Sequence, residues 1–136
     1  MPIVKNTLIG DSQTASAQAV TEIPFALPLG ALFTITTDQI AGSGTPLRVK
    51  GLPILAFQIQ VTGGTCANIV FTPEASIQVG GGAGALRFFD LNNGVIVPNG
   101  GFQLLQFTVP VDYVRGRLSV TPPLTATGFI RIMTAG

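Results

Sequence analysis

Residues 57–71 read FQIQVTGGTCANIVF, two apolar runs separated by a glycine pair. In the first run apolar residues alternate with glutamines, which is the period of a β-strand with one buried face. The glycines at 63 and 64 are typical turn residues, and a second apolar run follows them. We therefore predict two strands that are joined as a hairpin.

Similar short runs continue along the chain. The 17 glycines and 10 prolines interrupt it at short intervals, and no long window keeps a helical period of 3.6. Asn93-Gly94 is typical of a type I′ hairpin turn. Short strands separated by turns predict an all-β fold, an antiparallel β-sandwich of jelly-roll type. The predicted strands cover residues 33–37, 45–50, 54–62, 67–72, 77–79, 86–91, 95–97, 102–109, 113–121 and 127–133.

The strand near residue 115 indicates which side chains are buried. In YVRGRLSV, Val114 and Leu118 lie on one side, while Arg115 and Arg117 lie next to each other on the opposite side. The two arginines repel each other unless a carboxylate, from this chain or from a partner, lies between them. Arg131 is a candidate third member on a neighbouring strand.

The nine phenylalanines are mostly expected in the core, because they occupy alternating positions. Phe57, Phe71, Phe102 and Phe107 belong to this group. Cys66 is the only cysteine, so no disulfide can form within the chain, and we expect it to act as a small apolar core residue.

Charged residues are scarce. Seven Lys and Arg against six Asp and Glu make up 10% of the chain, where soluble domains average about 25%. The basic residues are dispersed, which excludes the concentrated basic face of a nucleic-acid-binding protein. Large uncovered apolar patches are rare on monomers. We therefore expect partner molecules to cover part of this surface.

The N-terminal region has a different character. Its longest apolar stretch, residues 23–35, has thirteen residues and two prolines, which is too short for a membrane-spanning helix of about 20. No secretory signal precedes it, so synthesis in the host cytoplasm is expected. We predict that residues 1–32 form an extended arm or edge element and that residues 33–136 form a single β-sandwich domain. The predicted interface residues are Ile23, Phe25, Leu27 and Leu29 on the arm, with Arg115 and Arg117 on the outer face.

Residues for chemistry are few. The glycine run at 80–84 lacks the following helix and the Gly-Lys-Ser/Thr of a phosphate-binding loop. Without histidine, and with one cysteine, zinc and copper sites are not expected, and no calcium-binding pattern is present. We predict no catalytic residue, no cofactor and no metal. The six carboxylates lie far apart in sequence and are expected to face solvent: Asp11, Glu22, Asp38, Glu74, Asp90 and Asp112.

Three segments are similar to structural proteins of tailed-bacteriophage particles. They are FQIQVTGGTCANIVFTPEASI (57–77), VPVDYVRGRLSV (109–120) and TATGFIRIMTAG (125–136). The N-terminal region has no counterpart in that pattern, and residues 73–76 (PEAS) replace an expected Ser-Asp-Gly element. The resemblance implies a virion component, such as a capsid decoration or cement protein or another head or tail accessory protein, often trimeric.

We therefore predict a non-enzymatic structural protein of a phage virion. Its expected partners are further copies of itself, as a homotrimer, and the major capsid protein or another virion protein, with neither nucleic acid nor membrane. The first alternative is a receptor- or carbohydrate-binding adhesive module with the same sandwich. A small hydrolase is a third possibility, and it requires two carboxylates within about 10 Å.

Overall fold

The computed structural model describes residues 19–49, 53–77 and 86–135. The glycine run at 80–84, Asp11 and the first eighteen residues of the predicted arm lie outside these ranges. Antiparallel strands dominate the described residues, so the predicted all-β fold is confirmed. The elements are β1 Ala19–Leu27, β2 Thr34–Thr36, α1 Thr37–Ile40, β3 Leu47–Arg48, β4 Ile54–Gly63, β5 Asn68–Ser76, β6 Phe89–Asp90, β7 Val95–Pro98, β8 Phe102–Thr108, β9 Tyr113–Ser119 and β10 Ala126–Ala135.

The strands form two sheets. In the first sheet the order is β1-β10-β4-β8. The second sheet is centred on β9 and β5; β2 and β3 both pair with the outer side of β9, and β6 and β7 both pair with β5. If each of these broken pairs counts as one strand, the sandwich has eight strands, the number of a jelly roll.

The core lies between the two sheets and follows the predicted alternation. Phe57 and Ile59 on β4 are fully buried, while Gln58 and Gln60 are only half-buried. The expected inward positions of β9 and β10 and the lone cysteine also belong to this core: Cys66, Val114, Leu118, Val120, Ile130 and Ile132.

The predicted hairpin between β4 and β5 is wrong, although both strands exist. β4 pairs with β10 and β8 in the first sheet, whereas β5 pairs with β9 in the second. Gly64, with φ of 109°, lets the chain cross between the sheets, because a side chain there would overlap the backbone of Thr125. Asn99 Nδ2 holds the crossing by donating to the carbonyl oxygens of Gly64 (3.1 Å) and Cys66 (3.0 Å).

The Asn93-Gly94 turn also differs from the prediction. β6 and β7 do not pair with each other; both lie along β5, at Glu74–Asp90 and Phe71–Val95. The residues between them loop out of the ladder, and Gly94 has a φ of 90°. The predicted strand at 86–91 is therefore reduced to β6, and Ile77 of the predicted strand 77–79 lies beyond the end of β5.

On the other side of the second sheet, α1 interrupts the edge strand between β2 and β3. The buried hydroxyl of Thr37, Oγ1, accepts a hydrogen bond of 3.0 Å from the backbone N–H of Gly116 on β9. This side chain occupies the place where a ladder partner is missing. Residues 37–46 can therefore leave the sheet without leaving that amide unsatisfied.

Candidate assembly surfaces

Arg115 and Arg117 share a carboxylate of the same chain. Arg115 Nε donates to Glu74 Oε1 at 2.6 Å, and Arg117 Nη1 donates to Glu74 Oε2. Asp90 Oδ2 lies 3.6 Å from Arg117 Nη2. The expected carboxylate between the arginines is therefore present. Glu74 is only 3% exposed, so the prediction that it faces solvent is wrong.

This cluster is electrically balanced, with two guanidinium groups against two carboxylates. The Arg115 guanidinium also stacks on the ring of Phe88 at 4.0 Å. Both arginines are thus engaged within the subunit, and a partner's carboxylate would have to compete with Glu74. These ion pairs join β5 to β9 on the outer face of the second sheet.

Arg131 is not a neighbour of this cluster. It lies on β10 in the first sheet, where its Nε is 3.4 Å from Glu22 Oε1 and its guanidinium stacks on Phe129 at 4.4 Å. The prediction that it approaches Arg115 and Arg117 is wrong, because two C-terminal strands that follow each other in sequence belong to different sheets.

The carboxylates are not all dispersed. Glu74 and Asp90 are direct cross-strand partners on β5 and β6. The glycosidase arrangement needs two carboxyl groups about 5–10 Å apart that face a space for the sugar and a water molecule. Glu74 has no such space, because it is buried and both of its oxygens bind arginine. Glu74 and Asp90 lie close together because both form ion pairs with the arginines of β9.

The apolar residues predicted as arm contacts lie mostly inside the subunit. Ile23, Phe25 and Leu27 alternate along β1 and are buried in the core of their own chain. Leu29, just after the strand, is exposed. A second subunit at this edge would meet the outward-facing residues of β1, such as Val20, rather than the three buried side chains.

A cleft of about 510 Å³ runs beside β1. Its walls come from β1 and from the segment that contains α1 and β3, and they include the charged residues Glu22, Asp38 and Arg48. A second depression of about 320 Å³ shares Pro24 and Ile40 with it and is otherwise apolar. The open side of the sandwich next to β1 is therefore concave.

The opposite side of the sandwich, at β8, exposes apolar side chains. Phe102 and Leu104 are 60% and 65% exposed. The prediction that Phe102 lies in the core is wrong, because the register of β8 on β4 places it opposite Gln60 on the outer face. Leu105 packs against the core instead.

The neighbouring edge of the second sheet also exposes apolar residues. Ile96 on β7 is 61% exposed, and its cross-strand partner Val70 on β5 is exposed as well. Gln103 Nε2 donates to the carbonyl oxygen of Ile96 at 3.2 Å and links β8 to β7. Both sheets therefore expose apolar residues near this edge, each on its own outer face.

Two further observations concern the described residues only. No three side chains of the Asp, Glu, Cys and His types come together there in a way that could hold a metal ion. None of the helices in these ranges has the length and apolar character needed to cross a membrane.

No protein-family model and no curated protein matches the chain. Solved structures that the chain is similar to include a subunit of the disulfide-linked pili of Bacillus endospore appendages, at a TM-score of 0.45 and 8% identity over 88% of both chains. A protein of infectious bursal disease virus has a TM-score of 0.42 and 12% identity, and the match covers 87% of this chain and 32% of the viral protein. The decameric capsid protein of BFDV has a TM-score of 0.37 and 11% identity, and the match covers 86% of this chain and 94% of the capsid protein. This chain thus spans about a third of the bursal disease virus protein. At TM-scores below 0.5 these similarities show no family.

Proposed function

We propose that this chain is a non-enzymatic structural subunit that works inside an assembled particle. The observation that carries the proposal is the coincidence of exposed apolar side chains with open sheet edges on a chain that has thirteen formal charges. The sequence resemblance extends the proposal to the virion of a tailed phage. There the chain, made in the host cytoplasm, decorates or cements the capsid.

The use of the charges supports this role. Within the described ranges, ion pairs on the sheet faces join charged residues of this chain to each other, among them Glu22, Glu74, Asp90, Arg115, Arg117 and Arg131. Charges that neutralise each other within the subunit contribute little to a solvating, self-repelling surface.

The apolar residues support it from the other direction. Single exposed apolar residues are normal, but groups of them mark interaction sites. In this chain they gather at β7 and β8 and around the turn that follows β1. Among the residues that the structure describes, the exposed large apolar ones are Val20, Leu29, Leu32, Phe33, Val70, Ile77, Phe89, Ile96, Phe102 and Leu104.

Size-exclusion chromatography with light scattering tests the proposal. We expect the full chain to elute as a multiple of 14.1 kDa at micromolar concentration. The resemblance implies three copies, and any stable multiple supports self-assembly. A clean monomer over the whole range from micromolar to millimolar would contradict self-assembly.

Removal of residues 1–18 tests the arm, because this deletion leaves β1 intact. If arms bind neighbouring subunits, the shortened chain dissociates at higher concentration than the full chain; an unchanged oligomer would show that the arm has no part in assembly.

The cleft beside β1 favours a second function, an adhesive module that binds a carbohydrate. Its walls combine carboxylates, hydroxyls and a guanidinium with apolar surface, as small-molecule sites do. A glycan array with the full chain tests it, with Asp38→Asn as the variant and Asp90→Asn, on the opposite edge, as the matched control. Binding that Asp38→Asn removes and Asp90→Asn retains would favour the adhesive function, whereas an empty array favours the structural one.

A further inference from the structure

A sheet edge with unpaired backbone groups invites another chain to pair with it, and proteins usually protect such edges. Three of the four edges here are protected. β1 contains Pro24, which has no N–H, and the charged Glu22. The edge at β2 and β3 is interrupted by α1, and the edge at β6 and β7 is interrupted by residues 91–94.

The fourth edge, β8, has none of these protections. It runs for seven residues, FQLLQFT, without a charge, a proline or an interruption. Within residues 19–49, 53–77 and 86–135, no strand pairs with its outer side. Its outer face carries Phe102 and Leu104, two of the most exposed large apolar residues in these ranges.

The backbone of β8 is oriented for pairing. Val61 N–H donates to the carbonyl oxygen of Gly101 at 3.1 Å, so the odd-numbered residues of β8 bond to β4. In an antiparallel ladder the alternate residues then direct both N–H and C=O away from that neighbour. The groups of Phe102, Leu104 and Gln106 therefore point to the open edge.

We propose that β8 is the strand through which a second copy of this chain binds, as an antiparallel β8–β8 pair about a two-fold axis. This inference rests on the self-assembly in the proposed function, and it gives two copies where the resemblance implies three. The first sheets of the two copies join into one eight-stranded sheet. The even-numbered residues of one β8 exchange backbone hydrogen bonds with those of the other. The contact is isologous, because the same strand serves both partners.

Charge selects this pairing over others. Two copies of β8 meet without a like charge, because residues 102–108 and their register partners Gln58 and Gln60 are neutral. A β1–β1 pair would instead bring together two Glu22 side chains and two prolines. The uncharged apolar edge is therefore complementary to itself.

Two substitutions test the contact by light scattering on the full chain. Leu104→Lys places two ammonium groups beside the axis, and like charges across an interface cost several kcal/mol, so we expect the dissociation constant of the dimer to rise roughly 100-fold. Gln106→Pro removes an N–H that points to the open edge and leaves the ladder to β4 intact. Val20→Lys is the control, because Val20 is 60% exposed on the β1 edge. Thermal unfolding checks that each variant folds.

The outcomes separate this contact from the proposed function. Dissociation by both β8 variants, with Val20→Lys unchanged, supports the contact. An oligomer that both β8 variants leave intact, or one that Val20→Lys dissociates, overturns the contact while self-assembly stands. A wild-type mass of three chains also overturns it, since a two-fold contact alone gives a dimer. A wild-type monomer at all concentrations overturns both.

Discussion

The rings of Phe57 and Phe71 contact each other across the sandwich, with centroids 5.7 Å apart and planes tilted by 58°. The two residues lie fourteen positions apart in sequence but in different sheets. Phe107 adds a third ring at 6.2 Å from Phe57. This aromatic contact joins the two layers at the point where the sequence alone suggests a simple hairpin.

A double-mutant cycle on Phe57→Leu and Phe71→Leu measures this contact. Both side chains are fully buried, so each substitution destabilises the fold, and aromatic pairs carry a coupling of about 0.5–1.5 kcal/mol beyond burial. Urea denaturation of the four proteins gives the coupling free energy. Phe102→Leu serves as the exposed control, with a change within about 0.5 kcal/mol. A coupling of zero would show that the rings do not interact.

Glu74→Gln tests the buried carboxylate. The amide keeps the size of the side chain but removes the charge that both Arg115 and Arg117 bind, and hydrogen bonds to charged groups contribute about 1.5–3 kcal/mol. We expect the free energy of unfolding to decrease by about 1.5–3 kcal/mol. Asp90→Asn is the matched control, because Asp90 is half-exposed and 3.6 Å from its partner, so its loss costs less than about 1 kcal/mol. Equal effects of the two variants would contradict the central position of Glu74.

Gly128→Ala tests the close approach of β10 to β4. A Cβ at this position would overlap the carbonyl oxygen of Gln60 and lie 2.9 Å from the Phe25 ring. Since backbone atoms cannot move aside, we expect a loss of about 3 kcal/mol or more, or failure to fold. Gly63→Ala, whose Cβ meets only the Thr127 hydroxyl at 3.1 Å, is the control. Thermal melts that shift equally for both variants would refute this interpretation.

Thr37→Val tests the hydrogen bond that replaces the broken ladder. The substitution keeps the shape but leaves the buried N–H of Gly116 without its acceptor, which costs about 1–3 kcal/mol. Thr37→Ser retains the hydroxyl and should recover part of this loss. Chemical denaturation compares the three proteins. If the serine variant is no more stable than the valine variant, the hydroxyl is not what stabilises this edge.

The sequence predicted the strands better than their partners. Alternation identified the buried faces of β4, β9 and β10 because side chains point to opposite faces with a period of two. Alternation could not distinguish a reversal at residues 63–64 from a crossing. Both need a flexible glycine, and only Asn99, thirty-five residues away from Gly64, shows that the crossing is held.

The candidate surfaces show the same division. In FQLLQF, two adjacent leucines allow either phase of alternation, so the exposure of Phe102 and Leu104 depends on the register with β4. The sequence predicted a carboxylate between Arg115 and Arg117 but not which residue supplies it. Glu74 is forty-one positions from Arg115, and the pairing of β5 with β9 brings it there.

By itself, the amino-acid sequence determined that this protein is a β-sandwich with few charges, because strand period and composition are local properties of the chain. Tertiary structure alone decided which strands are neighbours, which face of β8 is exposed and which edge is unprotected. These features depend on contacts between residues far apart in sequence, and a one-residue shift in register exchanges the buried and exposed faces of a strand.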